Sequence, residues 1–166
     1  MTDQATAPTA TPEAVDGAER NPHKEAWIAL VQAHAALTGR VQEVLAAADF
    51  PPLPWYEVLR TLADTPEQRL KMGDLAEALV ISRGGLTKLV DRLIKAGLLE
   101  RTFCETDRRV SYATLLPAGR DLYEEMRPVV VAELRASFSE KLSVEEADAM
   151  RESLERVRAA ACSLDS

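Results

Sequence analysis

Residues 72–116 read MGDLAEALVISRGGLTKLVDRLIKAGLLERTFCETDRRVSYATLL, and their pattern decides the fold. Residues 74–80 form a short helical run with apolar Leu75, Ala76 and Leu79. Ile81 and Ser82 interrupt it, and Ser is a favoured N-cap because its oxygen accepts from an unpaired N–H of the next helix. A second run then sets Leu86, Leu89, Val90, Leu93 and Ile94 at spacings of three and four, one face of a helix. Gly97 ends it, as Gly does where the chain turns left-handed. Residues 98–103 and 110–115 read as two short strands around the polar tip 104–109, CETDRR.

Helix, short turn, helix and β-hairpin is the layout of a winged helix-turn-helix. In that layout the second helix enters the DNA major groove. The expected fold is mainly α with a small β-hairpin wing (α+β), a winged helix-turn-helix core plus a helical region from both chain ends.

Working outward, residues 1–20 are rich in Thr, Ala and Pro without apolar periodicity. They read as a disordered N-terminal tail that cannot bury enough surface to offset ordering entropy. Asp3, Glu13, Asp16 and Glu19 against Arg20 make it a poor DNA arm. Asn21 is a good cap and Pro22 a tolerated first helical residue. A stripe from Trp27 through Leu30, Val31, His34, Leu37, Val41 and Leu45 predicts a helix to about Ala48, roughly 40 Å long at about 1.5 Å per residue. Pro51, Pro52 and Pro54 break the chain. Pro54 opens a short helix with apolar Trp55, Val58, Leu59 and Leu62, closed by Asp64, Thr65 and Pro66. The next helix lacks a Ser or Thr cap, and Gly73 substitutes at small cost. Beyond the hairpin, Leu116 caps poorly and Pro117 compensates in part. Leu122, Met126, Val129, Val130, Leu134 and Phe138 line the following helix, with a kink expected at Pro128. Ser143 and Glu146 form a capping box for a last helix, striped by Val144, Ala147, Met150, Leu154 and Val157.

Composition limits the function classes. The chain has 166 residues and a net charge of −7, enough length for one sizeable core. The charge is uneven: residues 82–109 hold seven basic residues against four acidic ones, the footprint of a nucleic-acid contact inside an acidic chain. No apolar run approaches the ~18 residues of a membrane span, and no secretory signal is evident. Cys104 and Cys162 are too few for a disulfide framework. A soluble cytoplasmic protein without cofactor or metal is expected. No C-x-x-C or H-E-x-x-H is present, and GGLTK at 84–88 is too short for a phosphate-binding loop, so no enzyme is expected.

The stretch DLAEALVISRGGLTKLVDRLIKAGLLER, the DRR at 107–109 and the LLPAGRDL at 115–122 resemble the MarR family of bacterial transcription regulators. The likeness spans roughly residues 27–160, and DRR fits the family's D-x-R wing tip. It implies a homodimeric, ligand-responsive DNA-binding regulator, acting as a repressor on a pseudo-palindromic double-stranded operator. Residues 21–50 and 117–162 would form the helical dimerisation region and 54–116 the DNA-binding lobe. A cysteine-based redox-responsive regulator and a winged-helix protein-interaction module remain alternatives. Redox-sensing relatives carry a cysteine near the start of the first helix, and this chain has none there. A pure protein-interaction module would lack the basic residues of the second helix.

The candidate recognition-helix residues are Ser82, Arg83, Gly84, Gly85, Thr87, Lys88 and Arg92. Arg83 suits a bidentate contact to guanine, Thr87 a thymine methyl or a phosphate, and Lys88 and Arg92 phosphates. Gly84 and Gly85 each cost about 1 kcal/mol against Ala in a helix. Close backbone approach to the groove wall and a poorly optimised helix start both account for them. On the wing, the resemblance puts Arg109 in the minor groove, with Asp107 orienting it or its neighbour by an ion pair and Arg108 on phosphate. The family binds small aromatic anions between the dimer helices and the DNA-binding lobe. Trp27, His34, Trp55 and Tyr56 are the candidate effector pocket.

Overall fold

In the computed structural model, residues 20–103, 106, 107 and 109–163 are described, without the side chains of 162 and 163. The expected tail up to residue 19, Cys104, Arg108 and the Cys162 thiol lie outside them. Asn21 caps α1 (Pro22–Ala47) by accepting from the Lys24 N–H at 3.0 Å. The proline-flanked α2 (Leu53–Ala63) follows, then β1 (Arg69–Lys71), α3 (Met72–Ala78), α4 (Arg83–Lys95), β2 (Leu99–Phe103) and β3 (Ser111–Leu115). The long α5 (Pro117–Ser137), a 3₁₀ turn (Ser139–Lys141) and α6 (Val144–Ser163) complete the chain.

The strands form one antiparallel sheet in the order β1-β3-β2. The sequence predicts only the β2–β3 hairpin. The added strand pairs Arg69 with Thr114 and Lys71 with Tyr112. Three residues are too few to display alternation, and pairing with β3 defines this strand. It also moves the start of α3. Lys71, extended as the last residue of β1, is the N-cap and makes no side-chain cap bond, so the helix starts ahead of the expected Gly73.

Helices α3 and α4 end in the same motif. Ile81 N–H donates to Ala76 O at 3.1 Å and Val80 N–H to Glu77 O at 3.2 Å. Likewise Leu98 N–H donates to Leu93 O at 3.0 Å and Gly97 N–H to Ile94 O at 2.9 Å. This is the Schellman pairing, which needs a left-handed residue. Val80 (φ 53°) and Gly97 (φ 75°) supply it. The first turn of α5 lies against the start of β2: a Cβ on Gly119 would sit 2.3 Å from Leu98 O, so only Gly fits. Pro128 lies inside α5 without ending it, although it removes one donor from the helix ladder. The capping box forms as expected, with Ser143 N–H to Glu146 Oε2 at 2.9 Å and Glu146 N–H to Ser143 Oγ at 3.2 Å.

One core joins these pieces. Leu45 of α1, Val58, Leu59 and Leu62 of α2, Leu75 of α3, Leu86, Val90 and Leu93 of α4 and Met126 and Val130 of α5 are fully buried. Arg40 ties α1 to α5 through Glu133 at 3.4 Å and also meets Glu43 at 2.8 Å. The chain ends are different. In α1 only Val41 and Leu45 are buried, and Trp27 is 64% exposed, with Ile28 and Val31 also open. No residue of 144–161 is buried; Val144 and Val157 of α6 stand open at 74% and 59%. Two helices thus carry apolar stripes that, among the described residues, nothing fully covers. No helix of the described residues is long and apolar enough to cross a membrane.

Candidate nucleic-acid interface

Helix α4 is built to present its first turns. Ser82 accepts from the Gly85 N–H at 3.2 Å. Leu86, Leu89, Val90 and Leu93 anchor the inner face in the core. Arg83, Gly84, Thr87, Lys88 and Arg92 are left exposed on the remaining faces. The Thr87 hydroxyl donates to Arg83 O at 2.9 Å, which leaves its Oγ able to accept.

The two glycines separate on structural grounds. A Cβ on Gly85 would stand 3.1 Å from Ser82 Oγ, so Gly85 leaves room for the cap. A Cβ on Gly84 would meet nothing within 4 Å. No internal contact asks for Gly84, which favours close approach by a partner over internal packing. Gly84→Ala is therefore expected to stabilise the fold by about 1 kcal/mol and to weaken DNA binding by steric contact. Thermal melting and gel-shift titration of the same variant check the pair of effects. A gain in stability with unchanged binding would leave the glycine as a poor helix start.

The wing tip closes on itself. Asp107 Oδ1 accepts from the Arg109 N–H at 2.9 Å, and Val110 N–H donates to Asp107 O at 3.0 Å. Asp107 thus holds Arg109 through its backbone N–H; the expected ion pair with its neighbour Arg108 lies outside the described residues. Arg109 then stands exposed and shares one cleft of about 380 Å³ with Arg83 and Thr87 of α4, Ser111 of β3 and Lys71 and Asp74 at the start of α3. The start of the second helix and the wing arginine, chosen separately from sequence, border the same space. Lys71, Asp74 and Ser111 were missed, because β1 delivers Lys71 there and no local pattern announces it. Lys88 and Arg92 lie outside this cleft. Arg101, one of the basic residues counted in this segment, is engaged elsewhere: its Nη2 bonds Asp91 Oδ1 at 2.9 Å and ties β2 to α4. On the outer face of the sheet the Arg69 guanidinium lies 3.8 Å above the Tyr112 ring.

The four candidate pocket residues do not converge within this chain. Trp27 and His34 are exposed on α1, and Trp55 is half-buried against the core. Tyr56 alone borders a cavity of about 340 Å³ between α1, α2 and α5, with Leu37, Thr38, Val41, Leu53, Glu57, Arg60, Val130 and Leu134. Burial, then the neighbouring Tyr123, raises the Tyr56 pKa above the usual phenol value, so its hydroxyl stays a neutral donor. The two rings are 5.6 Å apart. Arg60, one helical turn after Tyr56, was the legible signal that sequence reading passed over.

The sheet-backed hairpin beside an exposed, capped second helix defines a winged-helix DNA-binding protein. Comparison with known proteins narrows this. A model of the MarR family matches residues 48–110. The regulator FarR of Neisseria gonorrhoeae is 36% identical over 104 residues, 63% of this chain and 69% of FarR. NadR, solved in complex with 4-hydroxyphenylacetate, is 29% identical with a TM-score of 0.67, covering 92% of this chain and 98% of NadR. Sco3205 of Streptomyces coelicolor, a MarR family regulator solved in complex with DNA, is 28% identical with a TM-score of 0.75, covering 81% and 87%. The chain belongs to the MarR family of transcription regulators. FarR and Sco3205 are transcriptional regulators.

Proposed function

We propose that the protein is a cytoplasmic repressor that binds a pseudo-palindromic operator as a homodimer and leaves it when a small aromatic acid binds. Residues 54–116 serve as the DNA-binding lobe, and residues 21–50 with 117–162 as the dimerisation region. The observation that carries this reading is the shared cleft of Arg83, Thr87 and Arg109. A helix in the major groove and an arginine-tipped hairpin in the neighbouring minor groove need to leave one surface together. Arg83 and Thr87 read base edges, Arg109 enters the minor groove, and Lys88, Arg92 and Arg108 hold phosphates, with Asp107 setting the wing. Half-site centres lie about one helical turn apart.

The effector reading rests on the cavity around Tyr56. It has an apolar lining, a phenol donor and the Arg60 guanidinium, which suits an aromatic carboxylate. Arg60 also meets Asp64 at 3.3 Å, so a ligand carboxylate competes with that pair. NadR, as a relative, was solved with an aromatic acid of this kind. Trp27, His34 and Trp55 stay candidates only for walls completed by a second subunit.

The deciding experiment selects bound fragments from sheared genomic DNA and titrates the recovered duplex at several salt concentrations. The expected result is tight binding that weakens steeply with salt and that an aromatic carboxylate reverses in the wild type and not in Arg60→Ala. Recovery of no preferred sequence would overturn the operator reading; release by the acid from both proteins alike would overturn the cavity.

A further inference from the structure

A major groove and the minor groove beside it are divided by a single sugar–phosphate strand. A helix in one and a hairpin tip in the other straddle that strand, and the space between them receives it. In this chain that space is the cleft bounded by α4, the wing and the start of α3. We propose that it is a saddle for the dividing strand, in which Lys71 is a phosphate-positioning residue and Asp74 a stop that fixes how deep the strand sits. The proposal rests on the reading of DNA by α4 and the wing given above and adds two residues that neither element contains.

Lys71 fits the role by placement and by charge. Its backbone is held twice, by pairing with Tyr112 in the sheet and as the N-cap of α3, so the root of a long side chain is fixed. The residue is exposed, and among the described residues it has no ion-pair partner. Arg101, by contrast, is held by Asp91. Phosphate contacts of this kind set register on the duplex without reading sequence. Asp74 is the acidic member of the cleft lining, and it too is exposed and without an ion pair among the described residues. An unneutralised carboxylate repels a phosphodiester. Its presence beside Lys71, Arg83 and Arg109 pushes the strand toward Lys71 and Ser111, and leaves the two arginines to reach past it into the grooves on either side.

The test uses the full chain, a duplex selected by the wild type and a scrambled duplex. Lys71→Ala is expected to weaken both duplexes by the same factor, roughly 5-fold to 10-fold per half-site, and to lower the slope of log K against log salt by about 2, as loss of one phosphate contact in each of two half-sites requires. Lys71→Arg should restore both. Asp74→Asn should tighten both duplexes by a similar factor, about 3-fold, with the operator-to-scrambled ratio unchanged. Neutral methylphosphonates placed one at a time along the selected duplex should reveal one phosphate per half-site whose neutralisation weakens the wild type and leaves Lys71→Ala unaffected. An unchanged salt slope in Lys71→Ala, or no methylphosphonate position that cancels its effect, overturns the saddle. Arg83→Ala in the same assay keeps the two readings apart. If it lowers the operator-to-scrambled ratio while Lys71→Ala is silent, only the saddle fails; if both are silent, DNA reading by this surface fails as well. Unchanged thermal melting of Lys71→Ala and Asp74→Asn separates lost contacts from lost fold.

Discussion

Trp27→Asp combined with Val31→Asp is expected to yield a folded monomer whose operator affinity is lower by roughly 10²–10⁴-fold. The two side chains lie one turn apart on the outward face of α1 and are exposed in the isolated chain, so their replacement leaves the lobe's core intact. In the proposed dimer they lie in the apolar contact between subunits, where an unpaired charge is costly to bury. The large effect on DNA follows from linkage: a second reading head already tethered to the duplex binds at a high effective concentration, a gain on the order of 10²–10⁴ that a monomer forfeits. Sedimentation at several protein concentrations checks the first half and gel-shift titration the second. A variant that still sediments as a dimer would move the interface to another surface.

Arg83→Ala and Arg109→Ala are expected to differ in kind. A bidentate arginine–guanine contact is worth about 1–3 kcal/mol of discrimination, so Arg83→Ala should lose roughly 5-fold to 150-fold per half-site of the operator and relax preference at one base pair in each. Arg83→Lys should not rescue it, because the ammonium lacks the fork that matches two acceptors. Arg109→Ala should lose affinity mainly on operators with an A·T tract under the wing, where a narrow minor groove concentrates negative potential. Competition between duplexes differing at single base pairs measures both patterns. Equal losses on every duplex would reduce both arginines to phosphate contacts.

The elements that sequence alone made legible are those with local, self-contained chemistry. The Ser82 cap, the Gly97 terminator, the capping box at Ser143 and the apolar stripe of α4 each depend on residues within a turn or two of each other. The structure reproduces them bond for bond. What escaped depends on distant partners. Strand β1 is defined by pairing with β3, more than forty residues later in the chain, and the start of α3 moved with it. Lys71 and Asp74 reached the candidate site by the same route. The surroundings of the aromatic side chains escaped for a related reason. Trp27 sits on the apolar stripe of α1 yet faces solvent in the isolated chain, and Tyr56, outside the stripe read for α2, borders a cavity, because a stripe states that a face is covered and not by what. Asp107 was expected to orient Arg109 or its neighbour by an ion pair; its Oδ1 accepts from the Arg109 N–H, as a carboxylate two residues before an amide readily does, and the neighbour Arg108 lies outside the described residues.

The junction between β3 and α5 has a mechanical consequence. Leu116 alone separates the wing strand from a helix of 21 residues, and the tight seat of Gly119 on Leu98 O clamps the joint. The reading head and α5 are therefore joined without slack, along a helix about 31 Å long at about 1.5 Å per residue. Tilting its far end by about 5° displaces the hairpin by nearly ~3 Å, comparable to the ~3.4 Å base-pair step of B-DNA. In the proposed dimer, a ligand in the cavity beside α5 that tilts it only slightly would take both tips out of phase with the double helix.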